Sequence, residues 1–185
     1  MIFNEHLKLE GQHAFLSASK YHWINYDEDK VSRAYAKHLA TMKGTADHEF
    51  AALCIKRGQK LPKSQKTLNM YINDAIGFKM IPEQILYYSE NCFGTADAIL
   101  FRNNVLRIHD LKTGEIPAHI EQLLVYSALF CLEYHIKPGD IEIELRIYQH
   151  DDIWTHNPSA DEILPIMDTI IAHDKVIASI KEQGV

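Results

Sequence analysis

Three residues in this chain have the types and spacing that phosphodiester hydrolysis requires: Asp97, Asp110 and Lys112. Asp97 begins one β-prone run, Asp110 ends the next run, and Lys112 follows Asp110 by two positions. Because side chains alternate along a strand, Asp110 and Lys112 are expected on the same face. A hairpin with a short loop would bring Asp97 beside Asp110. Two carboxylates and an amine would then converge, as in a divalent-metal phosphodiesterase.

The charges in such a group conflict unless something compensates them. Two adjacent carboxylates repel each other, so one of them would take up a proton. A bound Mg²⁺ or Mn²⁺ would remove the conflict, because these cations prefer oxygen ligands, and it would lower the pKa of a bound water. Lys112 could orient or deprotonate that water, or neutralise charge that develops on the phosphate. The alternative interpretation is a solvated strand end with a salt bridge.

The order of these residues resembles the PD-(D/E)xK nuclease superfamily, in particular its RecB-like branch, which includes lambda-type exonucleases. The resemblance covers roughly residues 16–149 and depends on the order of several motifs. It implies that Asp97 and Asp110 are metal ligands and that Lys112 is the catalytic lysine. It also implies that the backbone carbonyl of Leu111 completes the metal shell.

Two further motifs of that branch are present. Gln122 and Tyr126 fit a Q-x-x-x-Y motif on the helix after the active-site strands, where they would position Lys112 or the scissile strand. Gly44 and His48 fit a G-x-x-x-H motif, whose histidine is a further metal ligand in this branch. Residues four apart share a helix face, so each pair could also be helix surface or a structural contact.

An N-terminal S-x-S…W motif is matched by Ser17, Ser19 and Trp23. The resemblance implies that these serines, with Lys20, contact the DNA backbone or a terminal phosphate. Helix capping is the alternative role for the serines, and a core position is the alternative for Trp23.

Other acidic and basic residues leave alternatives open. Asp47 and Glu49 flank His48, where they could be an alternative ligand or solvated charges, and Glu90, which ends an apolar run, could be an accessory ligand. The His109–Asp110 doublet matches the helical HD-type phosphohydrolases, but it follows a β-prone run. A local group of basic residues could face phosphates or form a solvated helix end: Lys56, Arg57, Lys60, Lys63 and Lys66.

The elements needed to position these residues follow from periodicity and turn signals. The pattern predicts an α/β fold in which helices flank a central mixed β-sheet, and the resemblance implies that this is a restriction-endonuclease-like core. One domain is expected over residues 1–185, with a helical part at 1–80 and the catalytic sheet with its helices at 81–185. Helices are predicted at 17–25, 30–59, 65–79, 118–135 and 161–183, and strands at 84–90, 96–102, 105–112 and 141–149, the last parallel to 105–112.

Composition agrees with a globular protein, and we expect a cytoplasmic location; the resemblance implies the cytoplasm of a bacterium or a phage-infected host. The chain has 185 residues, 46% hydrophobic and 24% charged, and no apolar run reaches membrane-spanning length. The N-terminus does not have the pattern of a signal peptide. The three cysteines are widely spaced and fit neither a zinc pattern nor a four-cysteine iron–sulfur cluster, so we expect no cluster.

The net charge of −6 disfavours strong non-specific binding to duplex DNA. Affinity would then depend on the metal, on a pocket for DNA ends, or on a partner such as a single-strand annealing or single-strand-binding protein. Homo-oligomer formation is left open, and no membrane association is expected.

The site residues predict a Mg²⁺- or Mn²⁺-dependent phosphodiesterase, and the resemblance implies a deoxyribonuclease, specifically an exonuclease of recombination, repair or phage DNA metabolism. An endonuclease, and a non-catalytic or partner-dependent DNA-binding subunit on a nuclease fold, are the alternatives. The catalytic set would be Asp97, Asp110, Lys112, Gln122 and Tyr126, and the metal set His48, Asp97, Asp110 and Leu111.

Overall fold

A computed structural model describes residues 14–183, with Ser19 and Lys20 described in their backbone only. The chain divides into two compact units, one that ends at Lys43 and one that starts at Gly44. The predicted single domain over 1–185 also includes residues 1–13 and 184–185, which lie outside the described residues. The assignment of a single domain to residues 1–185 stays a prediction.

The first unit is helical. A 3₁₀ helix spans Ala18–Asn25, close to the helix predicted at 17–25, and the Trp23 indole N–H donates to the carbonyl of Ser17 at 2.9 Å. Helix α1 spans Glu28–Arg57 and runs through Gly44 without interruption. The carboxylate of Asp27 accepts a hydrogen bond from the backbone N–H of Lys30 at 2.7 Å, which stabilises the start of α1.

The second unit is built on one mixed sheet. Its strands are β1 (Ile81–Ser89), β2 (Cys92–Arg102), β3 (Val105–Leu111), β4 (Glu142–Gln149) and β5 (Asp152–His156), in that spatial order. Only β3 and β4 are parallel, and the chain between them passes through helix α3 (Glu121–Glu133), as expected for a crossover connection. The predicted α/β class with a mixed sheet flanked by helices is therefore confirmed.

Two-residue turns determine the register of two hairpins. Asn103 and Asn104 connect β2 to β3 with φ of 53° and 60°, a left-handed conformation that asparagine tolerates. His150 and Asp151 connect β4 to β5 in the same way, with φ of 53° and 59°. Strand β5 was not predicted, because this second turn lacks the Asn-Gly type of signal.

Apolar side chains form a core on each face of the sheet. One core contains Leu106 and Ile108 of β3 and lies against α3 and α4 (Ala160–Glu182). The other contains Leu111 and lies against α2 (Thr67–Phe78) and the last turns of α1. Because alternate residues of β3 enter opposite cores, the C-terminal end of β3 is held from both sides.

Candidate metal centre

Asp110 is a buried carboxylate near the end of β3. Its side chain is 2% exposed, and Lys112 Nζ lies 3.1 Å from Oδ1 and 3.0 Å from Oδ2. Nζ also donates to Gln122 Oε1 at 2.8 Å. Asp110 and Lys112 thus lie on one face of the strand, as alternation predicts, and α3 supplies a third partner.

Asp97 lies where β2 separates from β3. The strands pair as far as Ala98 and His109, and beyond that point the Asp97 Oδ2 accepts the backbone N–H of Leu111 at 2.8 Å. The carboxylate therefore takes the place of the neighbouring strand as hydrogen-bond acceptor. This contact holds Asp97 beside the Asp110 end of β3, as the short hairpin predicts.

Helix α1 brings His48 to the same place. His48 Nδ1 lies 3.4 Å from Asp97 Oδ2. A Cβ at Gly44, one turn earlier, would lie 3.0 Å from Thr113 Oγ1, so glycine permits α1 to lie close to the chain that leaves β3. The Gly44–His48 spacing therefore has a physical basis. Gly44 allows α1 to lie close to Thr113, and His48, one turn later on α1, then contacts Asp97.

Glu83 is a member of the cluster that the sequence did not reveal. The strand pairs on both sides of it are in register, which places Glu83 opposite Asp97. Ligand atoms of His48, Glu83 and Asp97 lie within 4.8 Å of one another. The available signal was weak: Glu83 precedes the predicted strand, and only the register of β1 on β2 shows that it faces Asp97.

The backbone is irregular at the cross-strand pair Glu83 and Asp97. Glu83 has a φ of 53°, a left-handed conformation that costs about 1–2 kcal/mol for a non-glycine residue. Ala96 and Ala98 are two positions apart in β2, yet they belong to different cores. The hairpin therefore changes face at Glu83 and Asp97, and both carboxylates lie at that change.

The carboxylates of the site disfavour one another's charge. Burial, and then Asp97, raises the pKa of Asp110 to about 6. Burial, and then Asp97, also raises the pKa of Glu83. The hydrogen bond to Asp97 raises the pKa of His48. Each shift favours the form with an added proton; burial is the larger cause for the two carboxyl groups, and the negative charge of Asp97, which a cation would offset, contributes to all three.

Asp110 supplies an independent test of whether a cation fits. Within the described part of the chain, its Oδ2 is a buried oxygen without a hydrogen bond, since the 3.0 Å contact with Lys112 is an ion pair without hydrogen-bond geometry. Buried carboxylate oxygens are normally satisfied. Carboxylate oxygens predominate around His48 Nδ1, a donor set that suits Mg²⁺ or Mn²⁺. The residues present therefore fit a divalent cation, and the carbonyl of Leu111 as a ligand stays a prediction.

A chain of hydrogen bonds holds Lys112 in place. Gln122 accepts from Lys112 and donates through Nε2 to Tyr126 Oη at 3.1 Å. A Cβ at Gly94 would lie 2.9 Å from Tyr126 Cε1, so only glycine at this position leaves space for the ring. The Q-x-x-x-Y spacing thus positions the amine of Lys112 from one face of α3.

A groove of about 470 Å³ opens beside the cluster. His48, Glu83 and Lys56 line it, so one member of the predicted basic group lies near the candidate ligands. Lys60 and Lys63 line a different cavity, of about 800 Å³, with Asp74. These lysines thus line two different cavities, and contact of the basic group with phosphates stays a prediction. The first groove is also lined by Thr45, Glu49, Ala52 and Leu53.

The other candidates have different placements. Glu90 lies in the β1–β2 turn, about 23 Å along the strand from Glu83, and therefore far from the candidate ligands. The His109–Asp110 doublet lies in β3 and not on a helix, which excludes the HD-type arrangement. Ser17 occupies the N-cap position of the 3₁₀ helix. The side chains of Ser19 and Lys20 lie outside the described residues, and DNA contact by these three residues stays a prediction.

No helix among residues 14–183 has the length and apolar character needed to cross a membrane. Comparison with curated proteins gave no match, and comparison with solved structures gave none. A family model, described as a protein of unknown function (DUF2800), matches residues 80–183, which include Glu83, Asp97, Asp110 and Lys112. Because this match covers more than half of the 185 residues, the chain belongs to the DUF2800 family of proteins of unknown function.

Proposed function

We propose that this protein is a Mg²⁺- or Mn²⁺-dependent phosphodiesterase of the PD-(D/E)xK type that acts on DNA. The observation that carries the proposal is the buried, incompletely satisfied Asp110 beside Lys112. Next to it, His48, Glu83 and Asp97 bring their ligand atoms together. An imidazole, three carboxylates and an amine at one strand end support metal-assisted hydrolysis more directly than a structural salt bridge.

Each residue has a defined task in this proposal. His48, Glu83, Asp97 and Asp110 would hold the cation, together with the carbonyl of Leu111. When bound, the cation would polarise a phosphate oxygen and lower the pKa of the attacking water.

Lys112 is held between Asp110 and Gln122, so its amine is placed to orient the water or to offset charge on the phosphate. Gln122 and Tyr126 position that amine and do not themselves need to contact the reacting atoms. Because Tyr126 is in turn held over Gly94, the position of Lys112 depends on close packing between α3 and β2. This dependence makes the hydrogen-bond chain testable apart from metal binding.

The more specific assignment is a RecB-like exonuclease of recombination, repair or phage DNA metabolism, located in the cytoplasm. The motif order from Gly44 to Tyr126 supports it, together with a site that can be reached from a groove. A single-strand annealing or single-strand-binding protein would be a suitable partner. Endonuclease action, and a binding role without cleavage, are the competing outcomes.

The decisive test is cleavage of end-labelled linear duplex, single-stranded and covalently closed circular DNA in Mg²⁺ or Mn²⁺. The wild-type chain is compared with Asp110→Ala and with Asp47→Ala, a matched control for an acidic residue outside the proposed ligand set. Metal-dependent loss of linear DNA only, absent in Asp110→Ala and retained in Asp47→Ala, would support an exonuclease. Cutting of circles would indicate an endonuclease. Binding without cleavage would favour the DNA-binding subunit, and full activity in Asp110→Ala would refute the site.

A further inference from the structure

The β1–β2 hairpin extends past the rest of the sheet. β2 pairs with β3 only from Ala98 onward, whereas it pairs with β1 as far as Cys92. One face of this extension is packed: Leu86 and Ala96 belong to the core beneath α3, and Gly94 lies against the ring of Tyr126. The extension is thus a supported arm that starts at the candidate metal centre.

The opposite face of the arm carries exposed apolar side chains. Tyr87 and Phe93 are cross-strand partners, 45% and 60% exposed, with ring centroids 6.4 Å apart and planes inclined by 27°. Ile85 is 54% exposed and pairs with Thr95 on the same face. The two near-parallel rings lie against each other on a hairpin whose other face is packed, so both rings are partly exposed to solvent at neighbouring positions.

The location of the rings relates them to the candidate ligands. Phe93 precedes Asp97 by four residues, about 13 Å at roughly 3.3 Å per residue. At roughly 3.4 Å per nucleotide in a stacked strand, this distance corresponds to no more than about four nucleotides. Lys56, in the groove with Glu83, adds a cation for the phosphates next to the cluster.

A backbone hydrogen bond on the edge strand β1 disfavours the addition of a further protein strand there. It favours instead a ligand that is recognised by stacking on the rings. The N–H of Tyr87 donates to Glu133 Oε2 at 2.8 Å, so the edge strand does not offer this donor to another chain. What Tyr87 offers is its ring. Bases stack on exposed aromatic rings without sequence preference, whereas a paired duplex keeps its bases inside the helix.

We infer that Tyr87 and Phe93 form a stacking surface for single-stranded nucleic acid, and that the strand runs from this surface to the metal centre. The inference rests on the proposed function for the end point of the strand. The ligand of this surface is a run of unpaired bases, so the substrate is a single strand or the frayed end of a duplex.

Binding to fluorescein-labelled single-stranded DNA of eight nucleotides, in Ca²⁺ to prevent cleavage, tests the surface directly. Tyr87→Leu/Phe93→Leu should bind about tenfold or more weakly, although it retains apolar area. Tyr87→Phe/Phe93→Tyr keeps both rings and should bind like the wild type. Trp154→Ala removes a ring that is 49% exposed on β5, at the opposite edge of the sheet, and should have no effect.

Hydrolysis of a small phosphodiester, bis(p-nitrophenyl) phosphate, separates the surface from the metal centre. With its phosphorus at the metal centre, neither aryl arm of this substrate would reach rings about 13 Å away. The double leucine variant should therefore hydrolyse it like the wild type while losing about tenfold or more in kcat/KM on the oligonucleotide. Equal losses on both substrates would instead indicate damage to the metal centre and overturn the inference.

The two proposals fail in different ways. If the wild type cleaves DNA but the leucine variant binds the oligonucleotide equally well, the stacking surface is refuted and the nuclease stands. If no substrate is cleaved but oligonucleotide binding still depends on the rings, the surface stands and the nuclease is refuted. If the variant changes only the sedimentation behaviour of the protein, the face is a contact between copies of the chain and the stacking inference is overturned.

Discussion

Replacing Asp110 by asparagine is expected to stabilise the metal-free protein while abolishing its metal-dependent activity. Burial and the nearby Asp97 raise the pKa of Asp110 from 3.8 to about 6. Above that pH, the folded chain holds a charged carboxylate on a side chain that is 2% exposed. Asparagine has nearly the same shape, and its amide oxygen can still accept a hydrogen bond from Lys112. The substitution therefore removes the charge without creating a cavity.

The magnitude follows from the two pKa values. The difference between about 6 and 3.8 is about 2 pH units, which at about 1.36 kcal/mol per unit corresponds to about 3 kcal/mol. Between these pH values, the folded state holds a proton that the unfolded state has released. The free energy of unfolding of the wild type therefore falls as pH rises through this interval, and this contribution is constant above it. Asparagine does not titrate, so the advantage of the variant should grow from pH 4 to pH 6 and then level off.

Urea unfolding followed by circular dichroism, in EDTA at pH 4 to 8, measures this difference. Glu49→Gln is the matched control, because it removes an exposed carboxylate from the same region. Adding Mn²⁺ at 100 times its Kd should stabilise the wild type by about 2.7 kcal/mol and leave Asp110→Asn nearly unchanged. An Asp110→Asn variant whose relative stability does not increase between pH 4 and pH 6 would refute the description of Asp110 as a buried carboxylate that Lys112 compensates incompletely.

Three further substitutions separate the roles of the site residues. Lys112→Ala should lower DNA cleavage by about a hundredfold or more in end-label assays while Mn²⁺ affinity, measured by calorimetry, is retained; cleavage at the wild-type rate would contradict its role. Glu83→Gln should weaken Mn²⁺ binding by about tenfold, because one charged ligand is lost; unchanged affinity would remove Glu83 from the ligand set. Gly94→Ala would place a Cβ 2.9 Å from Tyr126 Cε1 and so displace the ring that positions Gln122 and Lys112. DNA turnover should then fall by about tenfold with Mn²⁺ affinity unchanged. Turnover at the wild-type rate would show that the Tyr126 ring can move without consequence.

Local patterns predicted the elements around the site well. Strand β4 (Glu142–Gln149) was expected at 141–149, because its residues alternate between apolar and polar. A short turn was expected between the strands predicted at 96–102 and 105–112, and Asn103 and Asn104 there have the left-handed φ that such a turn requires. Asp110 and Lys112 were expected on one face, and the structure places them in contact. Each of these features depends on residues that are close together in the chain.

Features that depend on contact between distant residues were not predicted. Strand β5 was missed because its His150–Asp151 turn has no strong local signal. The turn is held instead by a residue distant in the chain, since Asp151 accepts hydrogen bonds from the backbone and side chain of Thr67. The first strand was expected to begin at 84, so Glu83 fell outside it. Glu90 was considered as a ligand in its place, and the fold puts it at the far end of the hairpin.

The sequence by itself determined the order of the elements other than β5, the α/β class and the residue types at the end of β3, because these follow from periodicity and from spacing over a few positions. Only the tertiary structure decided which carboxylates meet. The left-handed turn of the chain at Glu83, the separation of β2 from β3 at Asp97 and the close passage of α1 at Gly44 bring these groups together. The physical reason is that like charges do not attract one another. Their convergence is imposed by strand register and core packing elsewhere in the fold.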